Sequence, residues 1–293
     1  MEVSPSISIC IPTYNGAEYL QEALESIQTQ TFKDFEVLVS DDDSKDDTLK
    51  VVEKFKQESN FPVRVFHHKP DGIGANWNHA MRQARGKYIK FLFQDDILLP
   101  TCLEEMYTVL ENNPKVGLVA SKREFIISKH NDDKTKQWLA TYGDLQKHIS
   151  DAPGDLILTK KLFKRKDFFK KPKNKIGEPS VMMFRKSVLN KTGYYDERLK
   201  QILDFEFCCR ILKNYCIHII AEPLVKFRLH DNQATVKNLK SKIDDHQIYP
   251  KLLYKDYFWL LNYKYQKEFF LRYDPLGVFL KKVSRKLRKI FNQ

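Results

Sequence analysis

Short apolar runs alternate with amphipathic stretches through the first part of this chain, and that alternation limits it to a small set of folds. Residues 7–11 and 35–39 are apolar runs of strand length, and between them Leu20, Ala23, Leu24 and Ile27 recur at helical spacing. A helix is expected after Ser44 with Leu49, Val52 and Phe55 or Lys56 alternating faces, and the Ser44-x-x-Asp47 spacing approximates a capping box with Asp in place of Glu. There follow a strand near 63–66, a helix over about 74–84, a strand over 88–93, a helix after Pro100 carrying Leu103, Met106, Tyr107 and Leu110, and a strand at 116–120. This order predicts an α/β fold with a mostly parallel, doubly wound sheet, helices on both faces and right-handed crossovers. Gly86, before the strand at 88–93, is read as supplying a positive φ at a turn.

In such a sheet a ligand sits beyond the carboxyl ends of the strands, where the strand order reverses. The polar clusters of the first half stand at those ends: Pro12-Thr13-Tyr14-Asn15-Gly16, Asp41-Asp42-Asp43 and Asp95-Asp96. A strand turns alternate side chains to opposite faces, so Asp95 and Asp96 cannot both follow the core, and at least one looks into the crevice. Hard carboxylate oxygens favour Mg²⁺ or Mn²⁺. An Asp-Asp pair before an apolar residue and a proline is also an ordinary strand-to-helix turn with an N-cap.

The 293 residues suffice for one large domain with additions. With 30% charged and 42% hydrophobic residues the bulk is globular, and the formal charge of +12 calls for an anionic partner. The cations gather in 160–175 and in the C-terminal tail, while the first hundred residues carry Asp clusters, a layout unlike a nucleic-acid-binding stripe. Cys10, Cys102, Cys208, Cys209 and Cys216 show neither zinc spacing nor a paired framework and are expected to be buried thiols of a reducing cytosol. Residues 1–11 lack a basic segment followed by a long apolar one, so no signal peptide is expected, and no window of about 18 apolar residues suggests a membrane span.

Residues 122–175 are polar and basic, with Trp138, Tyr142, Phe168 and Phe169 among them, and read as an insertion or a substrate-facing loop region. Regular structure is expected again over 180–188, in a helix around 204–212 and in strands near 216–220 and 224–229, and from about 241 the chain is helical and aromatic. In 276–291, Leu276, Phe279, Leu280, Val283, Leu287, Ile290 and Phe291 fall at helical spacing, with Lys281, Lys282, Arg285, Lys286, Arg288 and Lys289 filling the remainder. Such a basic amphipathic helix either lies on an anionic membrane, at about 1 kcal/mol per cation, or packs its apolar stripe on the rest of the chain.

These pieces in this order resemble a family 2 glycosyltransferase of the nucleotide-sugar-binding GT-A fold, over about residues 5–236. The matching segments are ISICIPTYNGAEYLQEALESIQTQTF (7–32), FEVLVSDDDSKDDT (35–48), ARGKYIKFLFQDDILLP (84–100), GYYDERL (193–199) with LDFEFCCRIL (203–212), and FRLHDNQAT (227–235). The resemblance implies a GT-A catalytic domain over 1–236, with a nucleotide-binding half (1–121) and an acceptor-binding half (122–236), and a helical extension over 237–293. It implies transfer of a sugar from a nucleotide-diphosphate donor, a UDP-sugar first, to a hydroxyl of a glycan or lipid-linked acceptor, with inversion at the anomeric carbon. It further implies bacterial cell-envelope polysaccharide assembly, with the protein cytoplasmic and peripheral on the inner membrane face through 276–293.

Carried onto this sequence, the family's pattern puts Pro12, Thr13 and Tyr14 in the nucleotide pocket, with the Tyr14 ring against the base. Asp42, and with it Asp41, would accept hydrogen bonds from uracil or ribose, while Asp46 and Asp47 cap the following helix. Asn78, in GIGANWNHA (72–80), holds the place of an asparagine near the nucleotide, or is a satisfied helix-surface amide. The commonest metal motif, Asp-x-Asp-Asp, is here Phe93-Gln94-Asp95-Asp96, with one carboxylate lost. Asp96 is assigned to the cation, Mn²⁺ or Mg²⁺, and Asp95 to the cation, ribose or a water. His230 resembles the family's late histidine at the metal or diphosphate, and Arg228 could fork onto phosphate or pair at a sheet edge. Asp204 matches the catalytic base, Glu206 points away from it if the segment is helical, and 177–180 shape the acceptor side.

Three rivals stand against this reading. A nucleotidyltransferase would need a glycine-rich basic phosphate loop near the first strand, where this chain has PTYNG without Lys or Arg. A degenerate module that binds nucleotide or membrane without turnover is suggested by Phe93 and opposed by Asp42, Asp96 and Asp204 together. A basic nucleic-acid-binding protein is the weakest of the three.

Overall fold

The computed structural model describes residues 4–127, 133–150, 153–231, 233 and 243–291, with side chains beyond Leu287 left aside. β1 (Ile7–Thr13) and β2 (Phe35–Asp41) are buried at every position, as strands covered on both faces must be, and this is why they read as continuous apolar runs. Between them α1 (Ala17–Gln28) turns Leu20, Ala23, Leu24 and Ile27 inward. α2 (Thr48–Glu58) buries Val52 and Phe55, β3 (Val63–His67) extends the sheet, and α3 (Ile73–Gln83) buries Trp77, Ala80 and Met81. β4 (Tyr88–Phe91), a two-residue β5 (Ile97–Leu98), α4 (Cys102–Asn112) and β6 (Val116–Ile127) complete the first half.

The second half holds α5 (Asp133–Tyr142), β7 (Leu156–Leu158), a 3-10 turn (Lys160–Lys164), β8 (Met182–Arg185), α6 (Leu189–Thr192), α7 (Leu203–Asn214) and β9 (Cys216–Leu229). Two expectations change here. The stretch after residue 121 is not all loop, since β6 runs on to Ile127, and the two strands foreseen over 216–229 are one strand of 14 residues. β9 stays paired along β6 by shifting register around Ser121–Arg123, which carries it past Pro223.

The sheet order is β3-β2-β1-β4-β8-β6-β9-β5, with β7 also on β9. β3, β2, β1 and β4 are mutually parallel, whereas β8 lies antiparallel between β4 and β6, so the whole sheet is mixed. The chain steps from β1 to β2 on one side and reaches β4 on the other. That reversal opens a crevice at the C-terminal ends of β1, β2 and β4.

The C-terminal helices α8 (Asp245–Tyr257), α9 (Tyr263–Tyr273) and α10 (Pro275–Phe291) form the extension; the expected boundary at 236 lies outside the described residues. Asp245 at the start of α8 is 4% exposed and accepts from the backbone N–H of Lys200, Gln201 and Ile202 at 2.9, 2.7 and 3.0 Å. The extension thereby fixes the entry to α7. α10 packs on α9 so closely that Gly277 abuts the Phe270 carbonyl, yet Leu276, Phe279, Leu280, Val283 and Leu287 stay exposed. Among the described side chains the apolar stripe is therefore only partly covered, from 36% exposure at Val283 to 60% at Phe279; those of Arg288, Lys289, Ile290 and Phe291 lie outside the description.

Gly86 does not have the positive φ expected of it. Its constraint is space: a Cβ there would lie 2.6 Å from the Ser8 backbone nitrogen and 2.8 Å from the Ile7 carbonyl carbon. Since backbone cannot move aside as a side chain would, Gly86→Ala should destabilise the fold by roughly 1–3 kcal/mol. Urea unfolding measures this, and unchanged stability would contradict the close approach.

Candidate active site

The first two strand ends are fastened by a buried aspartate. Asp41, fully buried, accepts from the Thr13 hydroxyl at 2.8 Å, the Ser44 N–H at 2.9 Å and the Ser44 hydroxyl at 2.6 Å. Ser44 in turn accepts from the Asn15 N–H, the Asn15 side chain from the Lys45 N–H, and Thr48 from the Gly16 N–H. The capping box expected between Ser44 and Asp47 is therefore absent, because Ser44 is engaged across the loops; Asp46 takes the N–H and hydroxyl of Thr48 instead, and the N–H of Ala17. Asn15 and Asp43 carry positive φ, the strain of two sharply turned loops held against each other.

Within this zipper three of the expected site residues are buried or engaged. Asp41 spends its carboxylate inside the protein, as does Thr13 its hydroxyl, and Pro12 is a buried strand residue. Tyr14 is 51% exposed at the mouth and presents its ring. Asp42 is the acid that remains available: its N–H is held by the Thr13 carbonyl, while its buried Oδ1 has no hydrogen-bond partner and lies 3.4 Å from His68 Nδ1. Burial raises the Asp42 carboxyl above its usual range, with His68 opposing.

Asn78 stands apart from this group. Its amide donates to the Tyr195 carbonyl at 2.9 Å and to Glu197 at 2.7 Å, and accepts from the Tyr195 N–H, so it ties α3 to the 193–199 loop. The neighbouring Asn76, which sequence reasoning missed, is the amide that faces the loops after β1 and β2, donating to the Thr13 carbonyl at 3.2 Å and meeting His68 Nε2 at 3.2 Å. The two lie two residues apart on a helix, so they face different ways.

At the third end, β4 stops at Phe91 because the Phe93 N–H leaves the ladder for the Ser180 hydroxyl. Gln94 then clamps Tyr14, accepting from its N–H at 2.9 Å and donating to its carbonyl at 3.2 Å. Gly16 makes room for this clamp, since a Cβ there would meet Gln94 Oε1 at 2.2 Å. The two aspartates that follow face different ways. Asp95, half-buried, meets His230 Nε2 at 3.0 Å. Asp96 turns inward, 1% exposed, with Oδ1 on the Arg228 N–H at 3.1 Å and Oδ2 unpartnered. Burial, then the Asp95 charge, push the Asp96 carboxyl well above the usual range.

Arg228 closes the junction. Its guanidinium donates to the Asp95 carbonyl at 3.0 Å and to Glu22 at 2.8 Å, and stacks 4.5 Å over the Tyr19 ring, which also touches His230. It is a brace rather than a phosphate fork. Of the matching segment 227–235, residues 232, 234 and 235 lie outside the described ones.

Across the cleft, Asp204 sits in the first turn of α7, accepting from the Phe205 N–H at 2.7 Å and from Asn174 Nδ2 at 2.9 Å. Asn174 is itself locked by the N–H groups of Ile176 and Gly177. Burial chiefly, with Glu178 adding repulsion, pushes the Asp204 carboxyl up to about 7, and the Asn174 bond opposes this. Asp96 feels the same Glu178, so the acids of the two halves share one electrostatic neighbourhood. Glu206 points away on the helix and chelates Arg210, as expected of a helical segment.

Among the described residues no three His, Cys, Asp or Glu side chains form a complete metal cage. Asp95 Oδ2 and His230 Nε2 nevertheless stand 3.0 Å apart. Two ligands at right angles on an octahedral cation with bonds of about 2.1 Å are separated by about 3.0 Å, and such a cation commonly takes its other oxygens from phosphates and water. The pair thus fits Mn²⁺ or Mg²⁺.

The family model described as Glycosyl transferase family 2 matches residues 8–193. An uncharacterized glycosyltransferase of Methanocaldococcus jannaschii is 32% identical over 243 residues, which span 81% of this chain and 76% of the relative. One from Rickettsia typhi is 27% identical over 79% of this chain and 66% of its own length. Among solved structures, S. aureus TarS 1–349 in complex with UDP-GlcNAc has a TM-score of 0.63 at 20% identity, covering 94% of this chain and 69% of that one. The mannosyltransferase PcManGT of Pyrobaculum calidifontis, in complex with GDP-Man and Mn²⁺, has a TM-score of 0.55 at 15% identity over 98% and 81%. At these identities the two structures establish the fold.

The two aspartates after β2 should respond differently to substitution. Asp41→Ala strands three buried donors and should cost roughly 1–3 kcal/mol of stability, whereas Asp42→Asn, with its free Oδ1, should leave urea unfolding close to wild type. Equal stability of the two variants would contradict the division between them.

Proposed function

This chain belongs to glycosyl transferase family 2 and is a glycosyltransferase of GT-A fold, and we propose that it moves a sugar from a nucleotide-diphosphate donor to a hydroxyl of a glycan or lipid-linked acceptor, with inversion at the anomeric carbon. A UDP-sugar is the donor we propose, guided by the UDP-GlcNAc bound to TarS and by Asp42, whose free carboxylate oxygen is an acceptor for a base N–H or a ribose hydroxyl. Tyr14 would lie against the base.

The observation that carries the reading is Asp204. A desolvated carboxylate with a pKa of about 7 is matched to proton acceptance near neutral pH, which an ordinary aspartate near 3.9 is not. In the proposed single displacement the acceptor oxygen attacks the anomeric carbon, the bond from that carbon to the diphosphate oxygen breaks, and the hydroxyl proton passes to Asp204. The nucleoside diphosphate departs on the opposite side. Asn174 aims the carboxylate, and Asp245, through the backbone of 200–202, holds the helix start that carries it.

Asp95 and His230 are the residues that would hold a divalent cation, and the PcManGT complex with Mn²⁺ supports that choice. When bound, such a cation supplies Lewis-acid neutralisation of the diphosphate charge. Asp96 is proposed to set the loop through Arg228 rather than to bind the cation directly. We also propose peripheral contact with an anionic membrane through 276–293, supported by Phe279 at 60% and Leu276 at 59% exposure beside Lys281, Lys282 and Arg285.

Asp204→Asn should reduce transfer by at least about 100-fold while UDP affinity stays within about twofold. Because the base works only when ionised, wild-type kcat/KM should rise with pH and level off above about 7. Asn174→Ala, which removes a bond favouring the charged form, should move that limb to higher pH; a limb near 4 would contradict the assignment. Calorimetry of UDP with and without Mn²⁺ should show metal-dependent tightening lost in Asp95→Asn, and tightening retained there would remove Asp95 as a ligand. Phe279→Asp with Leu287→Asp, both at exposed sites, should abolish sedimentation with anionic liposomes, and undiminished binding would sink the membrane contact.

A further inference from the structure

We propose that the acceptor half carries a second anion subsite, which takes a phosphate group borne by the acceptor. The segment 160–173 holds Lys160, Lys161, Lys164, Arg165, Lys166, Lys170, Lys171 and Lys173 against the single acid Asp167, a large share of the chain's +12. All seven lysines are exposed, and among the described residues none has a carboxylate partner. Beside them lies a cavity of about 490 Å³ lined by Lys147, His148, Ser150, Arg165, Asp167 and Lys170.

Within the cavity the charges divide by function. Arg165 is committed: it forks onto Asp167 at 2.8 Å and donates to the His148 carbonyl at 2.6 Å, so it joins the two walls. Lys147 makes one bond, to the Ala140 carbonyl at 2.5 Å, which leaves two protons. The Lys170 ammonium has no bonded partner among the described residues. Lys147 and Lys170 both line the cavity, and among the described residues its one acid, Asp167, is taken by Arg165; that balance makes an anion site, and three-proton donors on flexible stems suit the oxygens of phosphate.

The cavity is bolted to the catalytic loop from both sides. The buried Lys175 donates to the Lys170 carbonyl at 2.9 Å and to the Pro172 carbonyl at 2.6 Å, and Gln146, next to Lys147, donates to the Lys175 carbonyl at 2.7 Å. Asn174, the residue between, holds Asp204. The cavity wall and the loop that holds Asp204 thus form one hydrogen-bonded unit, which couples an anion seated here to the acceptor's base. The subsite rests on the reading of Asp204 as the acceptor's base, and it names the acceptor class as phosphate-bearing.

The test is lysine acylation of the full chain, read residue by residue by mass spectrometry, with inorganic pyrophosphate as probe. UDP and Mn²⁺ are present to fill the donor site, and NaCl of equal ionic strength is the control. Pyrophosphate should protect Lys147 and Lys170 at least about fivefold relative to Lys281, and Lys147→Glu with Lys170→Glu should weaken pyrophosphate binding about tenfold. Equal protection of all lysines, or protection matched by NaCl, would overturn the subsite. So would protection by vesicles of anionic lipid without protection by pyrophosphate, which would make the face a membrane contact. Failure of UDP to bind while pyrophosphate still protects both lysines would instead fault the glycosyltransferase reading of the donor side.

Discussion

The cleft depends on the buried junction between Arg228 at the end of β9 and the Asp95-Asp96 turn after β4. One residue holds that turn two ways, by its N–H to Asp96 and its guanidinium to the Asp95 carbonyl, while stacking on Tyr19 and pairing with Glu22 seat the same guanidinium on α1. β4 and β9 are separated in the sheet by β8 and β6, so the junction spans the loops above them. Gln94 on Tyr14 and β5 on β9 hold the same turn from either side, so Arg228 settles where its two aspartates lie. The cost is a carboxylate buried with one oxygen unpaired, which persists only because the surrounding groups leave it no alternative.

Adjacent aspartates divide their labour in the same manner at two strand ends. Asp41 goes inward and fastens two loops, while Asp42 keeps a free oxygen; Asp96 goes inward, while Asp95 meets His230. Such doublets let a strand end both anchor itself and present an acid, because successive side chains leave the backbone on opposite sides. The acceptor half solves the same task differently. Asp204 does both, desolvated enough to be held near neutrality and aimed by Asn174, whose own oxygen is spent on the loop it belongs to.

What could be read from the sequence was what local pattern determines. The period of apolar residues foretold β1, β2 and α3 within a residue or two and the presence of α1 and α2, and acidic clusters after strands pointed to the strand ends as the place for a site. What could not be read was which of two neighbours turns inward, because that is decided by partners distant in the chain: Arg228 for Asp96, Thr13 for Asp41, and Tyr195 for Asn78. Gln94 and Asp245 were missed for the same reason, since each works by holding backbone groups many residues away. A polar residue inside an otherwise family-like motif, as Gln94 is, was the one local signal that could have pointed to the clamp on Tyr14.

Fold and site meet in a single arrangement: two loops zipped by Asp41 after β1 and β2, the Asp95–His230 pair after β4, and a raised-pKa acid on α7. A crystal structure of the protein with UDP and Mn²⁺ examines that arrangement directly. The nucleotide should lie between Tyr14 and Asp42, the cation should touch Asp95 and His230, and the β-phosphate should face Asp204 across the gap left for the sugar. A nucleotide bound away from Asp42, or a cation held by Asp96 with Asp95 and His230 still paired to each other, would contradict it.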